Sequence, residues 1–255
     1  MVPAQAPLPG GHRGAPVDSH AMPGPTISVV VPIHNEADYL EAALGRLLVE
    51  IAGCGADCEV ILAENGSTDD TAALAQRLAA REPSVSTLSL DEPDYGAAMR
   101  AGFARAAGEW AVNFDIDYFS GQFLRDGLDL ADRADIVLAS KRAPGADDRR
   151  DLLRRAGTLV FNLLLKALFG TGVSDTHGMK LVRTRVISEI APTVVSNLDL
   201  FDTELVIRAE RAGFRIAEVP VTVEEQRGAR SSFLSRVPRT LRGLARIRWR
   251  MWRER

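Results

Sequence analysis

The chain has 255 residues, 46% hydrophobic and 25% charged, which suits one soluble globular domain with a sizeable core plus tails. The formal net charge of −3 is uneven: from Ser235 to Arg255 there are eight Arg and one Glu, so this tail carries +7 and the rest −10. An acidic body excludes broad nucleic-acid binding; the lack of any run of about twenty apolar residues excludes a spanning helix; Cys54 and Cys58, with no further ligands at suitable spacing, read as reduced thiols rather than a zinc site.

Residues 1–26 hold six Pro and four Gly and few large apolar side chains, so this segment is predicted to be disordered. It lacks the basic start and apolar stretch of a signal peptide, which with the reduced thiols predicts a cytoplasmic protein. Ile27–Pro32 is a continuous apolar run, as expected of a parallel strand covered on both faces. Glu36–Ile51 has helical spacing at Leu40, Ala43, Leu47 and Ile51. Strands follow at Val60–Ala63, Val85–Leu90, Trp110–Phe114 and Ile136–Ala139, with helices over Asp69–Ala80 and Gly96–Ala107. The second half is less regular: a long helix over Asp151–Phe169, a strand at Gly178–Val182, a helix at Phe201–Ala212, and short strands at Arg215–Val219 and Val221–Glu225 around Pro220. In the basic tail, residues 235–255, Val237, Leu241, Leu244, Ile247 and Met251 form one apolar stripe if helical, with Trp249 and Trp252 suited to a membrane interface. The competing expectation is that the stripe packs on the acidic body or on a second subunit in a homodimer.

Repeated strand–helix units predict an α/β fold: a Rossmann-like, mostly parallel sheet with helices on both faces, followed by a C-terminal amphipathic helix. Ligands of such sheets lie beyond the carboxyl ends of the strands. Three polar clusters fall there: His34-Asn35-Glu36, Glu64-Asn65-Gly66-Ser67 and Asp115-Ile116-Asp117. The carboxylates of Asp115 and Asp117 suit a hard divalent cation, Mg²⁺ or Mn²⁺, that also takes substrate phosphates as ligands. D-x-D alone is a weak pattern, and a surface turn explains most occurrences. The strand before it is what raises the metal reading.

Val29-Val30-Val31-Pro32-Ile33-His34-Asn35-Glu36 resembles the V-V-I-P-x-Y-N-E opening of family-2 glycosyltransferases. Glu64-Asn65-Gly66-Ser67-Thr68-Asp69 is similar to their D-D-G-S-x-D segment. Gly96-Ala97-Ala98-Met99-Arg100-Ala101-Gly102 and Gly108-Glu109 resemble the stretch before their D-x-D. The resemblance implies a GT-A fold over residues 27–234, with a nucleotide-sugar half (27–120) and an acceptor half (121–234). It implies that Pro32, His34, Asn35, Glu36, Glu64, Asn65, Gly66, Arg100 and Asp115 bind the nucleotide sugar. Asp115 and Asp117 hold the metal on this reading, and Asp117 is catalytic. Glu64 stands where the family has an Asp and His34 where it has an aromatic, so UDP and GDP both stay open.

Ser174-Asp175-Thr176-His177-Gly178-Met179-Lys180, Phe201-Asp202-Thr203-Glu204-Leu205 and Ile216-Ala217-Glu218-Val219-Pro220-Val221 resemble segments of the dolichyl- and polyprenyl-phosphate glucose and mannose synthases. Asp175 and Gly178 stand one residue closer than that pattern has them. This implies inverting transfer of a hexose to a polyprenyl phosphate, with Arg154, Arg155, Asp175 and Lys180 on the acceptor and the enzyme peripheral at the inner face of a membrane. A phosphate oxygen needs no strong base; a hydroxyl acceptor would, and Asp202 is then the first candidate, ahead of Glu204. Two other expectations stay open: a soluble family-2 enzyme acting on a small hydroxyl acceptor, and a non-catalytic nucleotide-sugar-binding module. The last would predict loss of the metal ligands, which are present. Nucleotidyltransferases would need a Gly-rich basic loop where Pro32–Glu36 stands.

Overall fold

The computed structural model describes residues 26–149, 152–223 and 233–254. The disorder expected of the N-terminal segment, and the end of the strand expected at Val221–Glu225, fall outside them.

The first half alternates as its periodicity predicts: β1 (Thr26–Ile33), α1 (Leu40–Ala52), β2 (Asp57–Asn65), α2 (Thr71–Arg81), β3 (Val85–Leu90), α3 (Tyr95–Arg105) and β4 (Trp110–Asn113). Helix α1 starts four residues later than its apolar spacing suggests. The Glu36 carbonyl instead closes a turn by accepting from the Tyr39 and Leu40 N–H groups. Then come α4 (Gly121–Leu128), β5 (Ile136–Ser140), the two-residue β6 (Asp147–Asp148), α5 (Leu152–Phe169), β7 (Lys180–Arg183), α6 (Thr184–Ile190), α7 (Phe201–Arg211), β8 (Ile216–Pro220), β9 (Thr222–Val223) and α8 (Phe233–Arg253). Helix α4 carries a sequence signal that was passed over: the Ser120 hydroxyl caps it, accepting the Phe123 N–H at 3.2 Å.

Seven strands form one sheet in the order β3-β2-β1-β4-β7-β5-β8. All neighbours are parallel except β7, which lies antiparallel between β4 and β5. Its register pairs Asn113 with Lys180 and Trp110 with Arg183. A residue from the far half of the sequence is thereby set beside the end of β4. Helices cover both faces, and β1 shows why its sequence is apolar throughout. Val29 and Val31 enter the core under α1 and α2, while Val30 enters the opposite core with Met99, Phe103, Phe201 and Leu205.

A third cluster joins α5, α7 and α8 through Leu165, Phe169, Ile207, Leu244, Ile247 and Met251. This divides the tail's apolar stripe. Leu244, Ile247 and Met251 pack on the body, whereas Val237, Leu241, Trp249 and Trp252 are exposed. Three of the five stripe residues therefore follow the packing expectation, and two remain, with the tryptophans, for another surface. No helix among the described residues is long and apolar enough to cross a membrane.

Candidate active site

The loops after β1 and β2 are tied together at the sheet's carboxyl edge. Asn35, in the left-handed region at φ 54°, donates its N–H to the Ser67 hydroxyl at 3.0 Å, and its Oδ1 accepts the Thr68 N–H at 2.8 Å. Asn is among the few side-chain-bearing residues that take this conformation readily. The Glu36 N–H donates to Thr71 Oγ1 at 2.7 Å, and Asp69 Oδ2 accepts the Ala37 N–H at 3.3 Å. The bond from Thr71 holds the Asp69 carboxyl below the usual carboxylate range. His34 Nδ1 lies 2.8 Å from the Asn65 carbonyl oxygen. Buried Glu64 accepts the Ser67 N–H at 2.6 Å, and Asn65 Oδ1 accepts the Asp94 N–H at 2.6 Å, which draws in the loop after β3.

Of the residues assigned to the nucleotide sugar, Pro32, His34, Asn35, Glu36, Glu64, Asn65 and Gly66 thus share one edge. Arg100 does not join them. Its guanidinium donates to the carbonyls of Ala191 and Val194 at 2.9 and 3.1 Å and lies over the Phe201 ring. In this place Arg100 acts as a strut under the segment before α7, apart from the cluster that the loops after β1 and β2 form.

The Asp115-Ile116-Asp117 triplet follows β4 as a tight turn, Asp115 and Tyr118 exchanging main-chain bonds of 3.2 and 3.0 Å. Buried Ile116 pins the turn and leaves both carboxylates on its open side. Asp115 is solvent-accessible but lies in a crevice hemmed in by protein. That crowding, then the charges of Asp117 and Asp202, pushes its carboxyl up to about 6, while Lys180 and Lys141 act in the opposite sense.

Asp202, in the first turn of α7, enters this group. Its Oδ2 accepts the Tyr95 hydroxyl at 2.8 Å and pairs with Lys180 Nζ at 3.2 Å, while its buried Oδ1 has no hydrogen-bond partner. Lys180 is only 1% exposed; its Nζ also donates to the Gly178 carbonyl at 2.6 Å, and its N–H donates to Asn113 Oδ1 at 2.9 Å. Burial, then the charges of Asp202 and Asp115, keep the Tyr95 hydroxyl well above its ordinary pKa and hence protonated. Asp175 is buried, caps the His177 N–H at 2.9 Å and faces Lys141 Nζ at 3.6 Å. His177 packs edge-on to Phe161, and burial holds its imidazole below the ordinary range, so it is neutral at pH 7.

Glu204 is removed from this chemistry: its oxygens take Arg208 Nε at 2.7 Å and the Ser196 N–H at 2.8 Å. Arg155 lines a cavity of about 200 Å³ with Lys141, Arg142 and Thr158. The side chain of Arg154 lies outside the described residues. Sequence reasoning missed Tyr95, Asn113, Lys141 and Arg142. The two cations follow β5 in the same way that the polar clusters follow β1, β2 and β4, which is the signal that could have found them.

The carboxylates fit a hard cation by donor type, and at Asp115 the charges of Asp117 and Asp202 outweigh the opposing ones of Lys180 and Lys141, which leaves a place where positive charge is favourable. Among the described residues no three His, Cys, Asp or Glu side chains close on one point. A cation held by Asp115 and Asp117 would take its remaining ligands from water and substrate phosphates.

A mostly parallel sheet with one antiparallel insertion, and a carboxylate turn at the end of β4 with two sewn loops beside it, define a GT-A fold. The profile of Glycosyl transferase family 2 matches residues 28–191, and the chain belongs to that family. It is 32% identical over 211 residues to glycosyltransferase AglD of Haloferax volcanii, spanning 79% of this chain but only 33% of that protein. It is 30% identical to a dolichyl-phosphate hexose transferase of the same organism (79% of this chain, 84% of the relative). A third relative at 30%, covering 78% of this chain and 77% of its own length, is a polyprenol monophosphomannose synthase of Mycolicibacterium smegmatis. Among solved structures, glucosyl-3-phosphoglycerate synthase of Mycobacterium tuberculosis with Mn²⁺, UDP and product aligns with a TM-score of 0.64 at 22% identity, over 88% of this chain and 78% of that one, and supports the fold.

Proposed function

We propose that the chain transfers a hexose from a nucleotide diphosphate sugar to a polyprenyl phosphate, with inversion at the anomeric carbon. The carrying observation is that Lys141 belongs to two places at once: the cationic cavity with Arg142 and Arg155, and the carboxylate crevice through Asp175 and Asp115. An anionic acceptor seated on those cations would lie beside the donor's anomeric carbon. Relatives named for dolichyl and polyprenol phosphates support the same acceptor class.

Chemically, an acceptor phosphate oxygen attacks the anomeric carbon from the face opposite the nucleotide, and the bond to the diphosphate oxygen breaks. The attacking oxygen is already an anion, so no proton need be removed; positioning and charge placement suffice. Mg²⁺ or Mn²⁺ held by Asp115 and Asp117 would neutralise the charge gathering on the diphosphate. Asp202 accepts the Tyr95 hydroxyl proton and pairs with the Lys180 ammonium, which fixes all three side chains beside Asp115. A hydroxyl acceptor is the second reading, favoured by one observation: the orphaned Asp202 Oδ1 could take the acceptor's proton.

The acceptor's lipid nature sets the location proposed, the face of an anionic bilayer. Helix α5 contains no carboxylate in its 18 residues and exposes Leu152, Leu159, Val160 and Leu163. Helix α8 exposes Leu241, Trp249 and Trp252 among its arginines, and a largely apolar groove of about 540 Å³ runs between the two.

The test is incubation with Mg²⁺ or Mn²⁺, labelled UDP- and GDP-hexoses and undecaprenyl phosphate. Label is expected in the organic phase, and Asp117→Asn is expected to abolish that transfer while melting as the parent does. Label passing only to a water-soluble hydroxyl acceptor would overturn the lipid reading in favour of the second.

A further inference from the structure

The segment entering α7 is held in a costly conformation, and the helix that holds it is the last one in the chain. Leu198 sits at φ 53°, a left-handed backbone that a γ-branched side chain adopts at a cost. Four residues later comes Asp202. On the inner side this segment is tied to α3: Asp94 Oδ1 accepts the Leu198 N–H at 3.1 Å as well as capping Ala97 at 3.0 Å. Gly96 lets the two backbones meet, since a Cβ there would stand 2.8 Å from Asn197 Cα.

On the outer side the contacts come from α8. A Cβ at Gly243 would stand 2.2 Å from Leu200 Cδ1, so Gly243 is the notch in which Leu200 lies. Eleven residues on, about 16 Å along the helix at 1.5 Å per residue, Glu254 grips Arg208 with both oxygens, at 2.7 and 3.3 Å. Arg208 Nε donates to Glu204 at 2.7 Å, and the other Glu204 oxygen accepts the N–H groups of Val195 and Ser196 at 3.2 and 2.8 Å. Both contacts thus end on residues 195–200, one by shape and one by charge.

We infer that Gly243 and Glu254 are positioning residues: through Leu200 and the Glu254–Arg208–Glu204 relay, α8 sets the place of Asp202 and hence of the Lys180 and Tyr95 side chains bound to it. The inference rests on the reading of Asp202 as a group of the reacting pocket. The donor loops after β1 and β2 take no part in either contact and meet this segment only through Asp94, so donor binding should respond to α8 far less than turnover does. A purely structural role for α8 would instead lower stability and leave the kinetic constants of the folded fraction alone.

The experiment compares Gly243→Ala, Glu254→Gln and Asp202→Asn with the parent in steady-state transfer, together with melting temperature and nucleotide Kd. An ångström of misplacement costs up to about a hundredfold in rate, so kcat is expected to fall by roughly ten- to a hundredfold in the first two variants. The donor KM and nucleotide Kd should stay within about twofold. Adding Leu200→Val to Gly243→Ala, which removes the atom the new methyl strikes, should return most of the lost kcat, and Glu254→Asp should retain more than Glu254→Gln. Wild-type kcat in both α8 variants alongside an inactive Asp202→Asn would overturn the inference. Full activity in Asp202→Asn would overturn the reading of Asp202 beneath it.

Discussion

Asp115 follows strand β4 and Asp135 leads into β5, and their surroundings drive the two carboxyls apart. Asp115 is crowded by protein and by two other carboxylates, and its carboxyl rises to about 6. Asp135, just before β5, is also opposed by burial, but bonds from Arg215 and Arg185 outweigh that and hold it far below the usual carboxylate range. A depressed pKa means that the unfolded chain binds the proton more tightly, so Asp135 contributes stability above its unfolded pKa of about 4 and loses it as pH falls below that. Asp135→Asn is therefore expected to destabilise by about 1–2 kcal/mol at pH 7, the exposed guanidinium partners being screened by water. The deficit against the parent should shrink below about pH 4 in melts across pH; a deficit constant with pH would show that the charge is not what matters. Single residues were also where sequence reading was least complete. Asp115 and Asp117 stood out because carboxylates after an apolar run are conspicuous, and Asp202 because its segment resembles a known one. Tyr95 did not, since an aromatic at the start of a helix reads as packing until its hydroxyl is seen on Asp202.

The elements of the first half were legible because each β–α unit announces itself by its own periodicity, and the loops between them are short. What periodicity could not give is how those loops close on one another. Gly66 is the pivot: φ is 60°, and a Cβ would lie 2.6 Å from the Glu92 carbonyl carbon, a backbone atom that cannot step aside. Gly66→Ala should cost roughly 1–3 kcal/mol as strain, and should weaken the UDP- or GDP-induced rise in melting temperature beyond that loss. An unchanged nucleotide shift would separate this turn from the donor site. The second half was less legible for a different reason. Strand β7 is four residues long, too short for its direction to be read, and its partners lie 67 to 73 residues away along β4. Its antiparallel course, and the place it gives Lys180, are products of the tertiary fold.

For the whole molecule, the division of α8 into a buried and an exposed face matters most. Removing the helix would strip Leu244, Ile247 and Met251 from the third core cluster, so truncation tests folding rather than membrane contact. The exposed side can be changed alone: Trp249 and Trp252 are 50% and 64% exposed, so Trp249→Ser with Trp252→Ser should leave melting within about 0.5 kcal/mol of the parent. Cosedimentation with vesicles rich in anionic lipid is expected to fall severalfold in that variant and to weaken with salt. Binding unchanged by both would assign the groove to another partner. Composition announced the basic tail, but not that a body of net negative charge would bury only one side of it.

The antiparallel seam between β4 and β7 also bears on how such a chain can change. The strands before and after Asp117 are not separate modules but the two sides of one sheet, β3-β2-β1-β4 and β7-β5-β8, joined along this seam. A fragment ending after Asp117 would present β4 as a bare edge, open to pairing with any passing strand and prone to aggregation. The half of the sheet before Asp117 is therefore not a portable cassette. On the proposed reading of the site, new acceptor preferences would arise by substitution around β5, β7 and α7, in place, rather than by exchange of a domain.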